Sequence, residues 1–178
     1  DDIVVVSGVT LTIDPGVEIN FNEGKSIAVL GQISAIGSES DSISIGYASI
    51  QFPAAYSGDS FFDHVIFFNT DYLFILGTNS TGSISVNNSR FSNISYVFFK
   101  DSGNYCGTDV TITDSKFFSC INPLYFTLTR TTIIIGNLFF NCSERIYKNW
   151  PSGSQSKFEE NIIANSSGYI DLDDIYGS

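Results

Sequence analysis

An all-β fold, a parallel β-helix of stacked turns, is what this sequence predicts, and three observations carry the prediction. Phe67, Phe91, Phe117, Phe139 and Ile163 recur at intervals of 24, 26, 22 and 24 residues, and periods in this range mark stacked structural units. Further columns flank them: Phe62, Val86, Ile112, Ile134 and Phe158 five residues before, and Asn69, Asn93, Ser119, Asn141 and Asn165 two residues after. A third apolar column, Leu73, Val97, Leu124, Ile146 and Ile170, lies a few residues beyond. Composition agrees, with an aromatic fraction of 15% from 16 Phe, 9 Tyr and one Trp, and charged residues at only 15%. Aromatic and β-branched side chains pack well on pleated surfaces, while the helix-building mixture of Ala, Leu, Glu, Lys and Arg is missing.

The strands follow in order. VTLTI at 9–13, VEINF at 17–21, SIAVL at 26–30, QISAI at 32–36 and SISIG at 42–46 all alternate with period two, the pattern of a half-buried strand. Gly8, Gly16, Gly24, Gly31 and Gly37 lie in the joints between them, where the backbone turns sharply. From residue 59 onward the columns take over, separated by polar joints such as GTNSTGS at 77–83. A helical or leucine-rich repeat would need a helix-forming segment or an L-x-x-L-x-L-x-x-N spacing in every unit, and neither is present. The reading is one domain over 1–178, with short-turn coils at about 1–58 and longer ones at about 59–178. Roughly eight coils, at about 4.8 Å per rung, make a rod of roughly 35 to 40 Å.

The segment LTIDPGVEINFNEGKSIAVLGQISAIGSESDSISI at 11–45, with the later S-x-F-x-N pattern, resembles the right-handed, single-stranded parallel β-helix (pectate-lyase-like) repeat domains of secreted and cell-surface proteins. The resemblance covers most of the chain. It implies a right-handed coil and a surface or polysaccharide-related setting, and it leaves the function open, because such folds host adhesins, surface-layer proteins and polysaccharide-processing enzymes.

A net charge of −11 with eight Lys and Arg excludes nucleic acid, whose phosphates need clustered cations. No apolar run has the length of a membrane span. Residues 1–30 lack the charged start and apolar core of a signal peptide, and the sequence holds no Met, as expected of a processed chain or a segment of a longer one. Asn79, Asn87, Asn93, Asn141 and Asn165 each begin an N-x-S/T sequon, so the expected setting is extracellular or cell-surface, with N-linked glycans.

Candidate sites come from the columns. Asn93, Asn141 and Asn165 either form an internal hydrogen-bonded ladder or point outward and carry glycans; Asn79 and Asn87 are the safer acceptors. Cys120 and Cys142 fall in one column on adjacent rungs, a spacing that favours a disulfide over two stacked buried thiols, leaving Cys106 as a free thiol or intermolecular link. For catalysis the best column is His64, Asn88, Asp114, Gly136 and Glu160, with Asp114 and Glu160 about 9 to 10 Å apart, near the upper limit for an inverting carboxylate pair. One His and no pectin-hydrolase motif argue for no catalytic residues. Thr10/Thr12 and Thr111/Thr113 have an ice-binding spacing that Ser85, Asn87, Ile133 and Ile135 interrupt. The acids from Asp171 to Asp174 read as a solvated tail rather than a Ca²⁺ loop, since no D-x-D-x-D-G pattern is present, and no metal or cofactor is expected.

The functional expectation is a non-catalytic, N-glycosylated structural module, with a carbohydrate-active enzyme or carbohydrate-binding adhesin as the alternative. An open groove lined by aromatic and acidic side chains would favour the alternative. Strand-forming Ile3 to Val6 and the sequence GYIDLDDIYGS at 168–178 offer no amphipathic cap, so the expected partners are copies stacked head to tail into a filament, or the rest of a longer β-helix.

Overall fold

The computed structural model describes residues 2–22, 24–100, 106–126, 129–148 and 156–171. All regular structure among them is strand, every strand pairing is parallel, and the chain coils into a β-solenoid of about six turns. Three stacks of strands make its walls. The first holds β2 (Thr10–Ile13), β5 (Gln32–Ile36), β8 (Asp59–Asp63), β10 (Ser83–Asn87), β12 (Asp109–Thr113), β15 (Thr131–Ile135) and β18 (Ser156–Glu159). The second holds β3 (Glu18–Asn20), β6 (Ile43–Gly46), the start of β9 (Val65–Leu76), the start of β11 (Arg90–Lys100), β13 (Lys116–Phe118), β16 (Leu138–Phe140) and β19 (Ile162–Ala164). The third holds β1 (Ile3–Val5), β4 (Ser26–Val29), β7 (Ser49–Phe52), the ends of β9 and β11, β14 (Asn122–Tyr125), β17 (Arg145–Lys148) and β20 (Tyr169–Asp171). Because β9 and β11 bend through the corner without a break, the second and third walls form one 13-stranded sheet, against a separate 7-stranded first wall.

About six turns replace the expected eight, which shortens the rod to about 29 Å at 4.8 Å per rung. The early strands belong to full-length turns rather than to short coils. In register, Thr10 and Gln32 lie 22 residues apart just as Asp109 and Thr131 do.

Two of the apolar columns stand as expected. Phe62, Val86, Ile112, Ile134 and Phe158 pair rung on rung in the first wall, and Phe67, Phe91, Phe117, Phe139 and Ile163 do so in the second. The Phe rings of the second column stack nearly parallel, at 5.2, 4.6 and 4.6 Å between centroids, and are fully buried from Phe67 to Phe139. Near-parallel stacking of rings one rung apart adds a directional contribution of about 0.5–1.5 kcal/mol per pair beyond area burial. The third column is shifted at its start: Phe74 and Phe98, not Leu73 and Val97, pair in line with Leu124, and a register irregularity near Arg145 puts Tyr147 in line where Ile146 was expected.

Both well-formed corners turn on a single residue in the left-handed backbone region. His64, Asn88, Asp114, Gly136 and Glu160 turn the first wall into the second, with φ from 44° to 71°; Tyr47, Asn69, Asn93, Ser119, Asn141 and Asn165 turn the second into the third, with φ from 49° to 59°. Asn and Asp tolerate this conformation best among side-chain-bearing residues. The residue after each first-corner position points inward, and there, rather than at the Asn93, Asn141 and Asn165 column where it was one of two alternatives, the structure builds an internal polar ladder. Ser89 Oγ accepts from Val65 N (3.1 Å), Ser115 Oγ from Ser89 N (3.1 Å), Asn137 Oδ1 from Ser115 N (2.9 Å), and Asn161 Oδ1 from Asn137 N (2.9 Å). Corner amides that no strand partner reaches are thereby satisfied. Among the described residues no helix is long and apolar enough to cross a membrane.

Candidate functional site

The turns differ in how far the chain travels between second and third walls, and that difference opens a recess. In the third turn the corner residue Tyr47 is followed three positions later by Ile50; in the next, Asn69 is followed five positions later by Phe74, which pairs with Ile50. Two extra residues push Thr70, Asp71 and Tyr72 outward as a ledge. Above the ledge the shorter turns carry Gly24, Lys25, Tyr47 and Ser49, leaving an open recess of about 700 Å³ lined also by Asn69 and Asn93.

Tyr72 is the apolar wall of this recess. Its ring stacks on Tyr96 one rung away (5.0 Å, 9° between planes), and Phe99 meets it edge-on at 4.8 Å. The Tyr72 side chain is 39% exposed, on the step where no aromatic residue continues the column upward. Tyr47 stands across from it, 49% exposed, braced by the edge of Phe68 at 5.9 Å. Phe68 can lie there because Gly46 has no Cβ, which would come within 2.5 Å of the ring. Tyr47 itself has φ 59°, a conformation unfavourable for a bulky side chain and common at ligand sites.

Polar groups line the ledge in chains. Asn93 Nδ2 donates to Asn69 Oδ1 (3.3 Å), and Asn69 Nδ2 donates to Tyr47 Oη (3.3 Å). Ser95 Oγ donates to Asp71 Oδ1 (3.2 Å), and Ser49 Oγ donates to Tyr72 O (2.7 Å), fixing the ledge against the turn above. Lys25 Nζ sits 3.7 Å from Asp2 Oδ2. The recess thus offers amide, hydroxyl, carboxylate and ammonium groups around one exposed aromatic face.

The Asn column is therefore external, and the internal-ladder alternative is overturned for it. Asn93, Asn141 and Asn165 are exposed, as are Asn79 and Asn87. Asn141 Nδ2 donates to Ser119 Oγ (3.1 Å), a second surface pair in the column that holds Asn93 and Asn69. Asn87 Oδ1 accepts from Thr113 Oγ1 on the first wall.

The expected Cys120–Cys142 bridge is not formed; both are free thiols. In-register side chains run parallel, so their Cβ atoms keep the rung spacing of about 4.8 Å, wider than the 3.5–4.5 Å of a disulfide. Each sulfur also lies close to the carbonyl two residues back, Cys120 Sγ 3.6 Å from Phe118 O and Cys142 Sγ 3.7 Å from Phe140 O. The hydrogen bond with Cys142, and burial after it, push the Cys120 thiol well above its ordinary pKa. Cys106 is also free, and it is fully buried 3.3 Å from Ser80 Oγ, a place unsuited to a link with another chain.

The column weighed for catalysis, His64 to Glu160, lies in the first corner rather than on a strand face. Asp114 and Glu160 stand two rungs apart with Gly136 between them, and a Cβ on Gly136 would come within 2.7 Å of Asp114 Oδ1, so the Asp114 carboxylate rests over the glycine. Thr111 and Thr113 pair with Ser85 and Asn87 on one side and Ile133 and Ile135 on the other, which breaks any Thr rank. Asp171 pairs with Lys148 (3.1 Å) and Arg145 (3.8 Å); Asp173, Asp174 and Asp1 lie outside the described residues. Among the described residues no three His, Cys, Asp or Glu side chains come together as a metal cluster. No family model, curated protein or solved structure matches this chain.

Proposed function

We propose that this β-helix is an extracellular, N-glycosylated binding module that holds a neutral saccharide in the Tyr72 recess without transforming it. The observation that carries the reading is the exposed Tyr72 face at the step between short and long corners, ringed by the Asn69–Asn93 amides, Asp71 and Lys25. A pyranose presents an apolar face and a rim of hydroxyls, and the recess matches it with one aromatic face and a rim of donors and acceptors. The catalytic alternative rests on Asp114 and Glu160, whose two-rung separation of about 9.6 Å falls at the upper limit of the inverting carboxylate geometry, with no base or nucleophile motif beside them. Titration of neutral mono- and oligosaccharides, followed by NMR of the Asn69 and Asn93 side-chain amides, tests the site. Tyr72→Ala should weaken binding at least tenfold, about 1.4 kcal/mol. Unchanged affinity in that variant, or no amide shift with any saccharide, would defeat the reading.

The structural expectation keeps a separate footing in the apolar surface of the last described rung, where Ile162 is 63% exposed and Ile163 39%. Further coils of a longer β-helix or a second copy stacked end to end would cover it. Sedimentation over a concentration series tests the second copy, and a constant monomer mass at high concentration rejects it.

A further inference from the structure

A second groove opens on the other side of the second wall, under a different step. Between the first and second walls most turns use a single corner residue, but one turn inserts Gly37 to Ser42 between β5 and β6. That loop overhangs the corner below it. The space beneath, about 640 Å³, is lined by Glu39 and Ser42 from the loop, by His64, Asn88 and Asp114 from the corner, and by Arg90, Lys116 and Phe118 from the second wall.

Arg90 and Lys116 are the unusual members. They are partners on adjacent parallel strands, so two cations stand directly side by side, an arrangement that destabilises a sheet. Neither takes part in an ion pair among the described residues, a state they share with Lys157 on the first wall, whereas Lys25, Arg130, Arg145 and Lys148 are all paired; what sets the two apart is that they adjoin each other. Two acids, Glu39 and Asp114, line the same groove, but neither is within ion-pair distance of Arg90 or Lys116. The Arg90 guanidinium is also held in place, 4.6 Å above the Phe118 ring, which leaves its donor edges free to face a ligand. On the corner wall Asn88 Nδ2 donates to Asp63 Oδ1 (3.0 Å), and His64 Nδ1, although 3.1 Å from the same oxygen, is shielded from solvent without a hydrogen-bond partner.

We propose that Arg90 and Lys116 form a binding site for an oxyanion, a phosphate or sulfate group, independent of the saccharide reading of the other recess. A planar guanidinium suits two oxygens of such a group, and an adjacent ammonium supplies a point charge for a third. Binding removes the repulsion that the empty pair carries, so occupancy and stability are linked.

The test uses urea unfolding at constant ionic strength, with chloride replaced by inorganic phosphate or sulfate, on the whole chain and on Lys116→Gln, Arg90→Gln and a control, Lys157→Gln, from the first wall. In chloride, Lys116→Gln should raise the unfolding midpoint, because one of two opposed charges is gone. Phosphate or sulfate should raise the midpoint of the unaltered chain and of Lys157→Gln, and that rise should shrink in both groove variants. Glucose 6-phosphate separates the sources: a rise at lower concentration than inorganic phosphate assigns the group to an esterified ligand, and equal potency assigns the free ion. An equal rise in all four proteins is the general salting effect of these anions and overturns the site. So does a Lys116→Gln midpoint in chloride at or below that of the unaltered chain, with Arg90→Gln serving as the second reading if Lys116→Gln fails to fold.

Discussion

Phe117 and Phe139 stack across adjacent rungs with ring centroids 4.6 Å apart and planes 14° from parallel. Each is fully buried, and each has another ring on its far side, Phe91 for Phe117 and Phe158 for Phe139. Replacing either with Ala removes atoms from a rung that cannot collapse, because β-strand pairing above and below fixes the spacing. The expected loss is about 3 to 5 kcal/mol, read by urea unfolding. A loss below about 0.5 kcal/mol, the range of surface changes, would contradict this packing.

Tyr47 offers a sharper test of whether the recess has a function. It is the bulky aromatic member of a corner column that elsewhere holds Asn69, Asn93, Ser119, Asn141 and Asn165, all with positive φ. Asn fits this backbone better than Tyr, so Tyr47→Asn should stabilise the fold by about 0.5 to 1 kcal/mol. The same change removes a wall of the recess and should lower saccharide affinity. A variant that is less stable and binds as well as before would show Tyr47 to be a packing residue.

How much of this could be read from sequence follows from what each feature demands of a side chain. The Phe column was legible because a stacked ring tolerates few substitutes, so Phe67, Phe91, Phe117 and Phe139 repeat in type as well as interval. The first corner demands only a tolerance of positive φ, and His64, Asn88, Asp114 and Glu160 all meet it, so the column resembled an exposed strand face. The internal ladder did leave a trace, in Ser89, Ser115, Asn137 and Asn161, each one residue past a corner. The recess left none, because it depends on two residues against four between corner and wall in adjacent turns. That difference is visible only once Ile50 is known to pair with Phe74.

Tyr56 gives the fold a pH limit on the alkaline side. Its ring is fully buried, Oη donates to Ser83 O (2.6 Å), and Ser60 Oγ lies 3.1 Å away. Burial, only partly offset by the Ser60 hydrogen bond, pushes its pKa from 10.0 up to about 12. A folded pKa above the unfolded one means that the neutral phenol's contribution is complete below pH 10 and is lost as pH rises through about 12. The full loss is roughly 2 to 3 kcal/mol, from two pKa units. Tyr56→Phe should be less stable at pH 8, since Ser83 O loses its donor, yet its stability should fall less steeply between pH 10 and 12. Parallel slopes for the two proteins would place the alkaline sensitivity elsewhere.

The sequon at Asn93 places the glycoprotein and saccharide readings in direct competition. Asn93 lines the recess, and the Nδ2 atom that would carry a glycan is the one that donates to Asn69 Oδ1. Ser95, which completes the sequon, holds Asp71 of the ledge. A glycan there would lie over the polar rim that a free saccharide needs, whereas glycans on Asn79 and Asn87 would leave it open, since neither residue lines the recess. Material secreted from a eukaryotic host should therefore separate on an immobilised saccharide into two populations. Peptide mass analysis should find Asn93 unmodified in the retained fraction and modified in the flow-through, with Asn79 and Asn87 occupied alike in both. Equal Asn93 occupancy in the two fractions would mean that the saccharide binds elsewhere, and the Tyr72 recess would lose its assignment.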